Sequence, residues 1–188
     1  LIRTFNALQS HQGEELNNAF ELLRKRRNVI MHSSPEFDIS PKELIESTIQ
    51  IISLFEGDDQ WWSLIKQYHV DHPLFGWSDY DYELSHLLFR LQFIKNYSTL
   101  GYLNRYTTVE LKSRKYLCPY CTKYLTDLGY SEEEIPRWSF LKPNKPTSNA
   151  IFCFSCQQNF EIEREPCHED GCKGNVLYEG LCLTCNNY

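Results

Sequence analysis

Apolar side chains recur every three or four residues through the first half of this chain, and then the pattern breaks into short alternations. From about Gln12 to Ser33 the series Leu16, Phe20, Leu23 and Ile30 keeps to one helical stripe, which Pro35 closes. Ser40-Pro41-Lys42-Glu43 reads as a capping box with proline at the first helical position. It opens a helix through Leu44, Ile45, Thr48, Ile49, Ile52 and Phe55 that Gly57 ends. A shorter helix from about Asp59 to His69 carries Trp61 and Trp62, both expected in packing rather than as stacking platforms. Beyond the breakers His72-Pro73-Leu74-Phe75-Gly76, another helix from about Asp79 to Tyr97 holds Leu84, Leu87, Leu88, Leu91, Phe93 and Ile94. Residues 99–116 read as a connector with a strand or short helix. Later, Phe160-Glu161-Ile162 and Val176-Leu177-Tyr178 alternate as ribbon strands do, and Ser131-Glu132-Glu133-Glu134 caps one short helix. The expected architecture is a mostly α N-terminal helical bundle over residues 1–98, the connector, and a small β module over 117–188.

The cysteines change the picture of that module. All eight lie between Cys118 and Cys185, in four close pairs: Cys118/Cys121, Cys153/Cys156, Cys167/Cys172 and Cys182/Cys185. Two thiolates three residues apart wrap a metal ion from a tight turn, and two such turns complete a tetrahedral shell. Two structural zinc ions are therefore expected, rather than a disulfide framework. Sequential pairing would put Cys118, Cys121, Cys153 and Cys156 on one ion and Cys167, Cys172, Cys182 and Cys185 on the other. A cross-brace, first pair with third and second with fourth, fits the same spacings; the sequential arrangement is favoured because each consecutive foursome makes a self-contained ribbon. The segment resembles tandem zinc ribbons, most clearly in its Cys-Pro-Tyr-Cys and Cys-Leu-Thr-Cys turns. It departs from them in lacking glycine after the second cysteine, where Thr122, Gln157 and Asn186 stand. His168, beside Cys167, is a competing ligand that four cysteines leave unneeded.

Charge limits the partners. The formal net charge is −6. Residues 1–100 carry 9 basic and 14 acidic side chains, residues 101–145 carry 8 and 5, and residues 146–188 carry 2 and 6. A four-thiolate zinc site adds about −2 more, so a generic basic coat for nucleic acid is excluded and any phosphate contact must be local. No apolar stretch has the length of a membrane span and no signal-peptide pattern opens the chain, which with eight reduced cysteines points to the cytoplasm. The only methionine is Met31, so residue 1 does not read as an initiator, and the chain reads as a fragment, a processed product or an ordered remainder.

One stretch of the helical half carries candidate chemistry. The first helix ends Arg24-Lys25-Arg26-Arg27-Asn28-Val29-Ile30-Met31-His32. Arg27 falls in the stripe of Leu16, Phe20, Leu23 and Ile30, where a permanent charge needs a partner, a wet groove or a dimer interface. Asn28 and His32 are four apart and adjacent on a helix. Arg27 and His32 are five apart, about 140° around a continuous helix, so they converge only if the helix ends early or a second copy supplies one of them. In bland terms, the cations complement the dipole of a helix C-terminus and His32 finishes that helix.

Arg27-Asn28-x-x-x-His32, near the end of one long helix and before another, resembles the signature of the HEPN superfamily of all-helical proteins. Many of these are metal-independent ribonucleases of toxin–antitoxin, phage-defence and RNA-processing systems. The resemblance covers about residues 1–98. It implies a homodimer through the helical domain with the catalytic Arg27, Asn28 and His32 in the dimer cleft. It also implies an RNA substrate cut to a 2′,3′-cyclic phosphate, and, for a toxin or defence effector, an antitoxin or other protein partner. The zinc ribbons would then recognise RNA or that partner. The alternative is a non-catalytic zinc-ribbon scaffold or adaptor that binds protein or nucleic acid.

Overall fold

The computed structural model describes residues 13–32, 40–71 and 80–187. Its helices are α1 (Gly13–His32), α2 (Pro41–Glu56), α3 (Gln60–Asp71), α4 (Tyr80–Tyr97), α5 (Leu100–Leu103) and α6 (Pro119–Asp127). The strands are β1 (Ser139–Leu141), β2 (Ala150–Cys153), β3 (Asn159–Glu161), β4 (Leu177–Tyr178) and β5 (Leu181–Cys182). The chain forms two compact units. One comprises the residues up to Ile65 with Ile94–Thr108, and the other Lys66–Phe93 with Val109–Tyr188. No helix among the described residues is long and apolar enough to cross a membrane.

The first unit is helical, as the period of its apolar residues requires. Pro41 stands in the first turn of α2 as expected, but Ser40 makes no side-chain capping bond. The capping box read from Ser40 and Glu43 is therefore absent. The Leu44 amide makes the first intrahelical bond, to the Ser40 carbonyl at 3.2 Å. Gly57 stops α2 at φ 91°, a left-handed conformation that glycine reaches without steric cost. Phe20 of α1 meets Phe55 of α2 edge-on, with ring centroids 5.7 Å apart.

The segment after α4 folds onto these helices. Trp61 donates its indole N–H to the Tyr106 carbonyl at 3.0 Å, and the Asp59 amide bonds to the same carbonyl at 3.1 Å. The Asp59 carboxylate accepts from the amide and hydroxyl of Thr108. Ser98 and Tyr102 reach back to Glu46, the first to its carboxylate at 3.0 Å and the second to its carbonyl at 2.8 Å. Burial, and then the neighbouring Tyr106, push the Tyr102 hydroxyl well above its ordinary pKa.

Trp61 and Trp62 are fully buried, in line with the packing role read from their spacing. Trp61→Ala is therefore expected to cost about 3–5 kcal/mol in chemical denaturation. Trp61→Phe should cost less, since it keeps most of the volume and loses the bond to Tyr106. Equal costs for the two substitutions would show that the indole N–H, not the volume, dominates.

The second unit holds all the strands. β1, β2 and β3 form an antiparallel sheet in that order, pairing Phe140 with Phe152 and Ile151 with Phe160. β4 and β5 make a separate hairpin. On α4 the stripe Leu84, Leu87, Leu88 and Leu91 is buried, at the spacing read from sequence. Leu117, Trp138, Phe140, Ile151, Val176 and Leu183 are buried between the cysteine turns. Helix α6 was not anticipated, although Cys121, Tyr124, Leu125 and Leu128 already stand at helical spacing.

Candidate metal centres and the basic helix end

The two sulfur clusters assemble from turns that the local backbone dictates. In the first turn, Pro119 follows Cys118 and starts α6 at once, so Cys118 serves as the helix N-cap. Its Sγ accepts the Cys121 amide at 3.4 Å. Thr122 then lies inside a helix and has no use for the glycine of the common ribbon turn. After the second turn Gln157 adopts φ 61°, and after the fourth Asn186 adopts φ 64°. Both take the left-handed conformation for which glycine is preferred, and asparagine tolerates it better than most residues. The missing glycines thus change the residue type at two turns and the structure at only one.

The eight sulfurs form two groups of four, Cys118, Cys121, Cys153 and Cys156 in one and Cys167, Cys172, Cys182 and Cys185 in the other. This is the sequential pairing; the cross-brace does not occur. Within the first group Cys118 and Cys156 are 3.7 Å apart, and Cys121 and Cys153 3.9 Å apart. Within the second, Cys167 and Cys185 are separated by 3.6 Å and Cys172 and Cys182 by 3.9 Å. A tetrahedron of sulfurs with metal bonds of about 2.3 Å has edges of about 3.8 Å. A disulfide would hold its sulfurs at about 2.0 Å, and all eight cysteines are free thiols. The edges therefore match a divalent ion such as zinc. His168 is exposed and belongs to neither group.

The electrostatics of the donors point the same way. Burial pushes the Cys118 thiol far up, and hydrogen bonding among the sulfurs does the same to Cys121. Burial also works to raise Cys153, yet the hydrogen bonds from Cys118, Cys121 and Cys156 outweigh it and hold Cys153 well below its ordinary value. In the second group burial raises Cys182, but the amides of Cys185 and Thr184 and the neighbouring thiols bring it to about 7. Burial, helped by the thiols of Cys172 and Cys167, pushes Cys185 up to about 12 against the Asn187 amide. Each foursome thus holds one thiolate easily and resists the next. A bound divalent cation relieves that conflict by supplying the missing positive charge. A bound ion with all four positions taken by thiolate would have a closed shell, and would organise the fold and activate no water.

The clusters differ in cover and share a backbone. All four cysteines of the first are buried, whereas three of the second are only half-buried. The Leu117 amide, just before Cys118, bonds to the carbonyl of Leu183 at 3.0 Å, between Cys182 and Cys185. Arg137 donates to the Thr184 carbonyl at 2.7 Å. Lys66, in the middle of α3, sets its ammonium on the Cys156 carbonyl at 2.9 Å, a cation beside the first sulfur cluster. No cysteine spacing could have revealed that contact.

Gly174 is where the second cluster tolerates no side chain. A Cβ there would lie 2.8 Å from Cys182 Sγ and 2.8 Å from the Thr184 side chain. Gly174→Ala is expected to lower the metal content from two ions per chain to one, leaving the first cluster loaded. Retention of both ions, read by elemental analysis, would show that the second turn yields without losing its geometry.

The basic helix end lies in the other unit. Arg27 and Asn28 are exposed on α1, so the guanidinium expected on the apolar stripe carries no burial cost within one chain. Arg24 is engaged by Glu21 at 2.7 Å. Helix α1 continues unbroken through His32, whose side chain lies outside the described residues. The positions of Arg27 and His32 therefore stay about 140° apart around one axis. Early termination of the helix does not bring them together. Searches of family models, characterised proteins and solved structures find nothing that matches this chain.

Proposed function

We propose that the chain is a metal-independent endoribonuclease of HEPN type, active as a homodimer, whose zinc-bearing module serves recognition and not chemistry. The observation that carries the reading is the exposed pair Arg27 and Asn28 on the last turns of a long helix, on the same helix as His32. Because α1 is continuous, Arg27 of one copy and His32 of the other make the site. The run Arg24-Lys25-Arg26-Arg27 supplies positive charge around that helix end on a chain that is otherwise acidic.

Neutral His32 removes the proton from a ribose 2′-hydroxyl, which attacks the adjacent phosphorus as the 5′-oxygen leaves and takes a proton from water. Arg27 stabilises the charge that builds on the phosphoryl oxygens, and Asn28 orients the phosphate or the imidazole. The products are a 2′,3′-cyclic phosphate and a 5′-hydroxyl. DNA, without the attacking hydroxyl, is not cut. In a toxin or phage-defence effector a protein partner would restrain this activity.

The experiment is incubation of the purified protein with single-stranded RNA and with DNA of the same sequence, followed by mapping of the ends. Cleavage of RNA alone with cyclic phosphate ends is the expected result. Intact RNA, or equal cleavage by Arg27→Ala and His32→Ala proteins, would remove the nuclease. The second reading is then a non-catalytic adaptor, which the two closed, four-cysteine shells favour because they build binding surface and leave no open metal position.

A further inference from the structure

A cavity of about 520 Å³ opens between α6 and the β4–β5 hairpin, walled on one side by each cysteine cluster's supporting turn. Three carboxylates line it, from Asp127, Glu132 and Glu179, against the single ammonium of Lys123. These carboxylates do not converge into a group close enough to ligate a metal ion, since only the two cysteine groups do so among the described residues. They are spread as a multi-atom donor would need them to be.

A second, independent feature concerns hydrogen-bond acceptors. Thr122, which lines the cavity and is 4% exposed, has a buried hydroxyl with no partner. Asn186, also in the wall, donates its amide to Glu132 at 2.5 Å and leaves its own buried carbonyl oxygen without a donor. A buried polar atom left unmet costs about 1–3 kcal/mol; the Asn186 oxygen wants a donor, and the Thr122 hydroxyl can accept from one as well as donate. Tyr178 adds an aromatic wall, its ring edge-on to Phe160. The two metal shells flanking the cavity each bring about −2 of charge when loaded with a divalent ion.

We infer that this cavity binds a guanidinium group, that of an arginine side chain presented by a protein partner or of a small arginine-like compound. A guanidinium carries five donors in a planar fork and no acceptor, is always charged, and stacks on aromatic rings. It satisfies carboxylates and orphaned acceptors together, which an anionic ligand such as RNA cannot do. The zinc module thereby selects cationic partners and repels nucleic acid. The inference is independent of the nuclease reading, because none of its residues lies in the first unit.

The test is calorimetric titration of the zinc-loaded protein with a short peptide containing one arginine, with N-acetyl-arginine amide, and with the peptide in which glutamate replaces arginine. The arginine peptide is expected to bind in the range of about 10–100 μM, and the glutamate peptide not at all. Asp127→Lys with Glu179→Lys should weaken binding by about tenfold or more. Thr122→Val, which keeps the shape and removes the hydroxyl, should weaken it several-fold at unchanged zinc content. Equal affinity of the amide would assign the site to a small guanidinium compound, and binding by the peptide alone to a protein partner. Absence of binding to both arginine probes, or equal binding of the glutamate peptide, overturns the inference.

Discussion

Cys153→Ser protein is expected to lose the first metal ion and, with it, the fold of the sheet that Cys153 ends. Its sulfur sits 3.9 Å from that of Cys121, in a group whose four members are all buried. A hydroxyl there ligates a soft divalent ion poorly, and three thiolates would be left gathered without their cation. Structural zinc in small modules is worth roughly 10–16 kcal/mol of apparent binding free energy. A whole domain is stable by only about 5–15 kcal/mol, so the loss is comparable to everything that holds the unit together. Elemental analysis should fall from two ions per chain to one or none, and the thermal transition of the second unit should disappear. A variant that keeps two ions and its melting profile would contradict the assignment of Cys153 as a ligand. In the unaltered protein a chelator should empty the half-buried second cluster well before the buried first one, because the competing ligand must reach the metal. Simultaneous release would mean that the two clusters open in one cooperative event.

His32→Ala is expected to reduce RNA cleavage by about 10²–10⁴-fold, the usual effect of removing a positioned general base. Arg27→Ala should cost about 10²–10³-fold, as loss of one electrostatic stabiliser of the transition state does. Neither change should alter the melting profile or zinc content, because Arg27 is exposed and the clusters belong to the other unit. The continuity of α1 makes the sharper experiment a mixture. If the site takes Arg27 from one copy and His32 from the other, refolding the two inactive variants together rebuilds one intact site in each mixed dimer. Random pairing then restores about a quarter of the original activity. A mixture as inactive as its components would place both residues in one copy, which the helix does not permit, and would end the composite site.

The legible part of the molecule was the part set by short-range chemistry. Helical periodicity located α1 to α4 within a residue or two, because an amphipathic stripe forms locally and needs only some apolar surface to face. Four cysteine pairs announced two four-sulfur groups able to hold a metal ion, since a Cys-x-x-Cys turn has one obvious use wherever the fold places it. Two local readings did not carry through. Ser40 has the residue type of a capping box but makes no side-chain bond, since residue type sets the capacity to cap and the side-chain geometry decides whether it is used. Arg27 follows the spacing of the apolar stripe yet is exposed, since a stripe becomes a buried face only where another element covers it. Helix α6 is only nine residues long, so its Cys121, Tyr124, Leu125 periodicity spans too few turns to stand out from the cysteine turn it begins in.

By itself, then, the sequence determined the donor set, the helical first half and the acidic character of the metal module, all of which follow from residue type and neighbour spacing. Tertiary structure alone decided which cysteine pairs share an ion, that Lys66 sits on the Cys156 carbonyl 90 residues away, and that Thr122 and Asn186 wall one cavity. The physical reason is range: a thiolate's affinity for metal travels with the residue, whereas the closing of a tetrahedron or a pocket depends on where distant backbone is held.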